Sequence, residues 1–250
     1  MTTKFKSSND ILKYIEKDII DHQIKTTPRH NNSISLRPLI YNCIREVYFE
    51  IFDCERIPPS NLDFYKSFYW TAPIGSALHE KIQSLLGLED QEYTEKLMTF
   101  NSFAPTLFVR SKCDGIDLRD PKNIILYEFK TKDKIPKEPY HEELLQNLLS
   151  VFFFRKEYKV DIKGSSMVYI NRKNPDEIKF FNYDFFDKES LVYLDIIDEL
   201  HDTFEKIQEI LDYMKKGVPP TMQSKYIKTI AYGKSKCLDC PYRDICKALP

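Results

Sequence analysis

Three cysteines near the end of the chain constrain its fold more than any other feature. Cys237, Cys240 and Cys246 all fall within residues 237–250. The amino-terminal stretch MTTKFKSSND is too polar for a secretory signal. We therefore expect an intracellular protein whose thiols stay reduced. Cysteines at this spacing indicate a metal centre instead of disulfides, and the chemistry alone favours zinc over an iron–sulfur cluster.

The chain has six cysteines, and the other three lie earlier in the sequence. Cys113 stands within a strand-like run and is expected to be a buried structural residue. Cys43 and Cys54 are the candidates for a fourth ligand. Cys43 and the terminal cysteines flank the rest of the chain, so a shared site would join both chain ends in one small subdomain.

The composition is that of a globular protein with a large core. The 250 residues are 42% hydrophobic and include 17 Phe and 16 Tyr, enough for one sizeable core or a core with a smaller appendage. No apolar run is long enough to cross a membrane. The net charge of −1 neither favours nor excludes nucleic acid, since acidic metal ligands and basic phosphate ligands cancel. The lysine-rich stretch at 130–137 is typical of a solvated loop.

Helix-like and strand-like segments alternate along the chain, which predicts an α/β domain. Apolar residues recur at helical spacing in some segments and dominate short β-rich runs in others. The turn signal Asn174-Pro175-Asp176 predicts a hairpin. The order of segments predicts a mixed central sheet flanked by helices. The predicted helices cover 9–24, 38–53, 75–87, 141–157 and 188–216, and the predicted strands cover 92–100, 106–118, 123–131, 165–171 and 177–184.

Two acidic residues and a lysine lie in consecutive strand-like runs. Asp114 belongs to SKCDGIDL, and Glu128 and Lys130 belong to IILYEFKT. Alternate strand residues share a face, so Glu128 and Lys130 point together while Phe129 points into the core. Converging carboxylates suit Mg²⁺ or Mn²⁺, with Lys130 beside the metal to contact a phosphate. The pair Glu-x-Lys by itself is more typical of a surface ion pair.

Two further side chains stand in the right order around this pair. His79, near Gly75 in a predicted helix, precedes the acidic strands and offers a nitrogen ligand that favours Mn²⁺. Gln146 follows on the next helix and is placed to orient the lysine or a DNA phosphate. Each of them alone is more often a structural residue.

At this point the chain resembles a known family. Gly75 with His79, Asp114-Gly115-Ile116-Asp117, Glu128-Phe129-Lys130-Thr131 and Gln146 resemble the RecB-like branch of the PD-(D/E)xK nucleases. Within that branch the chain looks most like the CRISPR-associated Cas-four-type exonucleases. The resemblance covers roughly 36–250. It implies a restriction-endonuclease-like core over 61–220, an iron–sulfur subdomain built from 36–60 and 221–250, and an extension at 1–35.

The resemblance also implies roles for individual residues. His79, Asp114 and Glu128 are the implied metal ligands, together with the backbone carbonyl of Phe129. Lys130 is the implied catalytic lysine, and Gln146 is the glutamine of the motif after it. One departure concerns position 150, where the family often has a tyrosine and this chain has a serine.

For the cysteines, the resemblance reverses the preference for zinc. Arg45 and Tyr48 beside Cys43 resemble the family's first-cysteine motif, so Cys43 is preferred to Cys54 as the fourth ligand. The implied cofactor is a [4Fe-4S] cluster that clips the chain ends together. Its ligands are Cys43, Cys237, Cys240 and Cys246.

The sequence therefore favours a metal-dependent DNA exonuclease acting on single strands or single-stranded ends. The resemblance implies 5′→3′ direction and a place in CRISPR spacer acquisition beside the Cas-one and Cas-two integrase, with recombination or repair as the alternative. Four aromatic residues are candidates for stacking bases: Tyr140, Phe152, Phe153 and Tyr158. A non-cleaving, cluster-bearing DNA-binding subunit is the competing hypothesis, and the presence of the whole metal and lysine set counts against it.

Overall fold

The structure is a computed structural model of the whole chain. Cys237 and most of the helix predicted at 9–24 lie outside the residues that it describes. Within the described part, no helix is long and apolar enough to cross a membrane. The described residues are 13, 17–18, 33–41, 43–52, 54, 56, 62–101, 106–174, 176–184, 191–221 and 240–249.

Helices and strands alternate through most of the described chain. The helices are α1 (Leu36–Tyr41), α2 (Ile44–Ile51), α3 (Leu62–Leu86), α4 (His141–Tyr158), α5 (Leu191–Lys216) and α6 (Arg243–Ala248). The strands are β1 (Ser33–Ser35), β2 (Leu97–Phe100), β3 (Phe108–Lys112), β4 (Gly115–Asp117), β5 (Ile124–Lys132), β6 (Ile162–Asn171) and β7 (Ile178–Asp184).

The strands form two sheets, and each contains both parallel and antiparallel pairs. The smaller sheet has the order β1-β3-β2, and the larger has the order β4-β5-β6-β7. Strands β5 and β6 are parallel and are joined through α4, whereas β6 and β7 form an antiparallel hairpin. The α/β class and the mixed pairing are therefore confirmed, but a division into two sheets was not predicted.

Strand β5 separates two apolar layers, because its alternate side chains point to opposite faces. Leu126 belongs to the main core, together with Leu145 and Leu149 of α4. Phe129 belongs to a second layer with Ile82 of α3, which also contains Leu88, Val168 and Ile170. Helices α4 and α3 therefore lie on opposite sides of this strand, and either can bring side chains to its end.

Two helices begin or end at residues different from those predicted. The helix predicted at 75–87 begins at Leu62, and Pro73 lies inside it. A single proline removes one backbone hydrogen bond, which a helix of this length can tolerate. Gly87 follows its last turn with a φ of 65°, so the predicted end is confirmed. The helix predicted at 38–53 is divided at Cys43, the N-cap of α2.

Two predicted strands were too long. The run 106–118 is divided into β3 and β4, which belong to different sheets, and Cys113 and Asp114 lie between them. The apolar pattern continues through the change of sheet because both strands are largely buried. The run 92–100 contains only β2, after turns at 92–95. The helix at 141–157, the hairpin and most of the helix at 188–216 are confirmed.

Candidate active site

Glu128 and Lys130 lie on the same face of β5, as the sequence predicted. The Lys130 Nζ is 2.5 Å from the Glu128 Oε1. Glu128 is only 4% exposed, so this is a buried ion pair and not the surface pair that Glu-x-Lys alone suggests. Phe129 points to the other face and is buried, which confirms its predicted direction.

Asp114 lies beside Glu128 because the chain changes sheet at this point. Its Oδ2 accepts a hydrogen bond from the Phe129 backbone N–H at 2.7 Å. This bond ties the loop between β3 and β4 to the middle of the Glu-Phe-Lys motif. The orientation of the Asp114 carboxylate is therefore set by backbone and not by a mobile side chain.

Helix α3 brings His79 to the same place. The His79 ring makes an edge contact with Phe129, with 5.7 Å between ring centroids. One turn earlier, Gly75 lies so close to Thr131 that an added Cβ would stand 2.9 Å from the Thr131 Oγ1. A glycine at this position therefore allows α3 to approach the end of β5, where His79 meets the acidic pair.

Gln83 and Glu95 belong to the site and were not predicted. The Gln83 Nε2 donates to the Asp114 carbonyl at 2.6 Å and to the Glu95 Oε1 at 2.8 Å. Glu95 has a left-handed backbone, with φ 57°, and its N–H donates to the Cys113 carbonyl at 2.8 Å. Gln83 stands four residues after His79, so helical spacing could have identified it.

The two carboxyl groups are difficult to ionise together. Burial raises the pKa of Asp114 to about 6, against the effect of the Lys130 ammonium. Burial and the Asp114 charge raise the pKa of Glu128 to about 7, again opposed by Lys130. The site therefore holds more negative charge than one lysine neutralises, and a bound cation would relieve this repulsion.

The pKa values of His79 and Lys130 shift in opposite directions. Burial lowers the pKa of His79, and the nearby Lys130 lowers it further, so the imidazole is neutral and able to bind a metal at neutral pH. Burial also opposes the charge on Lys130, but the Glu128 and Asp114 carboxylates outweigh it and raise the pKa of Lys130 above its usual range. Without a metal, Lys130 is therefore protonated at neutral pH.

Gln146 approaches the site from α4. Its Nε2 is 3.4 Å from the Glu128 Oε1, the same oxygen that Lys130 contacts. Its helical neighbour Ser150 donates to the Gln146 carbonyl at 2.9 Å and shares a hydrogen bond with Ser111 at 3.0 Å. The serine at the position of the family's tyrosine is therefore buried and structural.

The structure thus gathers the predicted side chains without closing a metal site. The predicted side chains lie around the middle of β5, but the ligand atoms of His79, Asp114 and Glu128 do not all lie within 4.8 Å of one another. The other two predicted side chains there are Lys130 and Gln146. Among the described residues, one group of three possible ligands does have its ligand atoms within this distance. It is exposed on α5, and exposed acidic groups are common without a metal. Its members are His201, Asp202 and Glu205.

The described cysteines near the two chain ends lie in one corner of the molecule. The cysteine corner, as we name it, contains Cys43, Cys54, Cys240 and Cys246, packed around α2 and α6. Burial, then Glu46 and the neighbouring Cys43 and Cys246 thiols, raises the pKa of Cys240 to about 12. Segments from the two regions therefore pack together here, but their thiol sulfurs do not all lie within 4.8 Å of one another, and the predicted subdomain stays a prediction.

Aromatic packing holds this corner together. Tyr242, only 2% exposed, lies with its ring centroid 5.7 Å from that of Phe49 on α2. The Arg56 Nε donates to the Tyr242 hydroxyl at 2.8 Å, and its guanidinium lies 3.8 Å from Glu50. Cys113 lies elsewhere, fully buried in the main core, and its thiol donates to the Gly115 carbonyl, as a structural cysteine should.

Three of the four aromatic residues predicted to stack bases are not available for it. Phe153 is buried in the main core, and Phe152 and Tyr158 pack against the same core. Successive rings on α4 point in different directions, so Phe153 stacks on Phe100 of β2 while Phe152 packs against Phe204 of α5. Tyr140 is 49% exposed and remains a candidate.

Comparisons with known proteins identify the superfamily of this chain. A search of curated sequences gives no significant match. A solved crystal structure described as SSO0001 superposes with a TM-score of 0.51 at 19% identity, covering 96% of this chain and 97% of the other. An alkaline exonuclease from Laribacter hongkongensis superposes with a TM-score of 0.41 at 11% identity, covering 80% and 97%. The sequence profile of the PD-(D/E)XK nuclease superfamily matches residues 45–247, so the chain belongs to this superfamily.

Proposed function

We propose that this protein is a metal-dependent exonuclease that hydrolyses DNA from single strands or single-stranded ends. Membership of a nuclease superfamily supplies the reaction class. The observation that carries the proposal is the buried pair Asp114 and Glu128, held beside Lys130 of β5. Members of this superfamily use divalent metals such as Mg²⁺ or Mn²⁺.

The side chains fit such a metal. Asp114 and Glu128 offer hard oxygen ligands whose repulsion a cation relieves, and His79 offers a neutral nitrogen. With the Phe129 carbonyl, these residues are the proposed ligands. A bound Mg²⁺ or Mn²⁺ supplies an activated water and neutralises charge on the phosphate.

Lys130 has the proposed catalytic role. Because it stays protonated, its ammonium contacts a non-bridging oxygen of the scissile phosphate and stabilises the charge that develops there. Gln146 fixes the Glu128 carboxylate and thereby the place of the metal. The phosphodiester oxygen–phosphorus bond breaks as water adds to phosphorus, and the products are a free hydroxyl and a phosphate end.

The cysteine corner is the proposed site of a structural [4Fe-4S] cluster. Cys43, Cys240 and Cys246 offer the soft thiolate ligands that such a cluster needs, and Cys237 completes the set. The packing of α2 against the segment around Tyr242 supports a shared site. The resemblance to Cas-four-type nucleases supports iron–sulfur over zinc, the 5′→3′ direction, and a role in spacer acquisition beside the Cas-one and Cas-two integrase.

A cleavage assay tests the nuclease proposal. Protein purified without oxygen is incubated with Mn²⁺ and single-stranded DNA labelled at the 5′ or the 3′ end. We expect shortening that requires metal, is lost in Lys130→Ala, and is retained in Lys156→Ala, which removes an exposed lysine at the far end of α4. Folded protein that binds DNA but never shortens it would replace the exonuclease with a non-cleaving DNA-binding subunit.

Metal analysis of the same preparation tests the cofactor. A brown protein that contains iron and sulfide is the expected result. Colourless protein with stoichiometric zinc contradicts the cluster and leaves the nuclease proposal intact.

A further inference from the structure

We propose that a strip of lysines and aromatic rings beside the candidate active site binds single-stranded DNA, stacking one base and holding its phosphates. This proposal deepens the proposed function and rests on it for the identity of the substrate. The strip consists of Lys132, Tyr140, Lys179 and Phe181, which lie around the fully buried Tyr169.

Strand register places the strip directly beside Lys130. Lys130 of β5 is paired with Tyr169 of β6, and Tyr169 is paired with Lys179 of β7. Paired residues on neighbouring strands point to the same side of a sheet. Because strands lie about 5 Å apart, Lys179 lies about 10 Å from Lys130 across the sheet. A nucleic-acid strand that places one phosphate at Lys130 can therefore reach Lys179 with another.

The Tyr140 ring and the Lys132 ammonium form the part of the strip closest to the site. The Lys132 Nζ lies 4.7 Å from the Tyr140 ring centroid, and the ring is 49% exposed. The Lys132 Nζ is 2.6 Å from the Glu143 Oε1, and the Tyr169 hydroxyl donates to the other oxygen of that carboxylate at 2.7 Å. The Tyr140 N–H donates to the Tyr169 hydroxyl at 3.3 Å. An exposed ring and a cation are thus held in place before any ligand binds.

The outer part of the strip carries positive charge on an exposed strand. The Lys179 Nζ lies 4.4 Å from the Phe181 ring centroid and donates to the neutral Lys137 carbonyl at 2.7 Å. The Phe181 ring makes an edge contact with Tyr169, at 5.6 Å between centroids. Lys179 is exposed, and neither of these two contacts neutralises its charge, which suits a phosphate.

The exposed ring selects single strands over duplexes. A base can stack on Tyr140 only with a free face, which bases inside a duplex lack. Rings that stack bases beside lysines that follow the backbone are the usual means of holding single strands without sequence preference. The strip therefore specifies the form of the DNA and not its sequence.

Binding measured without metal tests the strip independently of cleavage. Fluorescent oligo(dT), an abasic oligomer of equal length and a duplex are titrated with protein in EDTA, and anisotropy gives the Kd. We expect Tyr140→Ala to weaken oligo(dT) binding about 5- to 100-fold, the range for loss of one stacked base. Binding of the abasic oligomer should not change, and Tyr140→Phe should bind oligo(dT) as wild type does.

Charge and position are separated by a pair of lysine variants. Lys179→Ala should weaken both single-stranded probes and reduce the slope of log K against log salt by about 0.7, the value for one phosphate contact on a single strand. Lys156→Ala is the matched control. Lys156 also lies near an aromatic ring, with its Nζ 5.9 Å from the Phe152 ring centroid. It is 16 residues, or about 24 Å along α4, away from Tyr140. This variant should bind as wild type does.

Two outcomes overturn the strip. One is unchanged oligo(dT) binding in folded Tyr140→Ala, and the other is an equal loss for the abasic oligomer. If cleavage is absent but oligo(dT) binding depends on Tyr140, the strip stands and the nuclease proposal falls. If the protein cleaves DNA but Tyr140→Ala and Lys179→Ala do not weaken its binding, the nuclease proposal stands and the strip falls.

Discussion

The candidate active site and the cysteine corner are built in different ways. The active site lies on long elements of the larger sheet and the helices beside it. A backbone N–H holds the Asp114 carboxylate, and the Lys130 and Gln146 side chains hold that of Glu128. The cysteine corner joins short segments from both ends of the chain through a few aromatic contacts. We therefore expect the proposed active-site metal to serve chemistry and not folding, and the proposed cluster in the corner to stabilise the contact between the two segments.

Asp114→Asn should have the largest effect on cleavage and should not destabilise the fold. It keeps an oxygen for the Phe129 N–H but removes one of two repelling charges. We expect cleavage of single-stranded DNA in Mn²⁺ to fall by about a hundred- to a thousandfold. Thermal unfolding in EDTA should occur at the same temperature as in wild type or a few degrees higher. A lower melting temperature would mean that Asp114 is primarily structural.

Cys43→Ser tests whether Cys43 in the cysteine corner is a cluster ligand or only a helix cap. Cys43 is the N-cap of α2, and its Sγ accepts from the Glu46 N–H at 3.4 Å. Serine is a preferred N-cap residue, so a purely structural role predicts equal or greater stability. A ligand role predicts loss of iron and a melting temperature about 5–10 °C lower, or about 2–3 kcal/mol.

Cys54→Ser is the matched control, since Cys54 packs in the same corner. It should keep its iron. Iron loss in Cys54→Ser together with full iron in Cys43→Ser would exchange the two assignments.

A pair of left-handed residues separates function from backbone strain. Glu95 and Lys159 both have positive φ, 57° and 58°. Lys159→Gly, at the end of α4, should raise the free energy of unfolding by about 0.5–1 kcal/mol and leave cleavage unchanged. Glu95→Gly gains the same backbone freedom but loses the bond to Gln83, so kcat should fall about tenfold with little change in KM. Equal activity in the two variants would show that Glu95 does not position Asp114.

Metal-free stability should depend on pH through the acidic pair. The folded pKa values of Asp114 and Glu128, about 6 and about 7, lie above their ordinary values of 3.8 and 4.5. The folded protein therefore holds these protons more tightly than the unfolded chain, and their stabilising contribution is lost as pH rises from about 4 through about 7.

The lowered pKa of His79 acts in the opposite direction over part of this range, so the measurement is the difference between wild type and Asp114→Asn. Melting temperatures in EDTA should converge at low pH, with wild type falling behind by a few degrees at pH 8. Parallel curves would contradict the raised pKa values. Saturating Mn²⁺ should restore wild type.

The parts of the site that could be predicted are those with a local rule. Alternation along a strand fixes the common face of Glu128 and Lys130 and the opposite face of Phe129. A glycine after a periodic run marks the end of α3, because Gly87 adopts the left-handed backbone that L side chains avoid.

The remaining parts depend on contacts between distant segments. No local rule shows that the chain changes sheets at Asp114, since the apolar pattern continues through it. The left-handed backbone of Glu95 has no glycine to mark it, and this conformation accompanies contacts with Cys113 and Gln83 that only the fold supplies. Likewise, a phenylalanine run gives no sign of which rings the core takes and which remain exposed.

The contact between Lys130 and Glu128 has a consequence for the order of binding. The ammonium acts as an internal counterion on the oxygen that a divalent cation also seeks. An arriving metal must share that oxygen or displace the lysine, and a displaced lysine is attracted to a phosphate beside it. If both bind as proposed, each ligand makes room for the other, and by thermodynamic linkage we expect each to raise the other's affinity by the same factor. The Lys130 ammonium thus partly balances the Glu128 charge, and we expect metal and DNA to bind this site cooperatively.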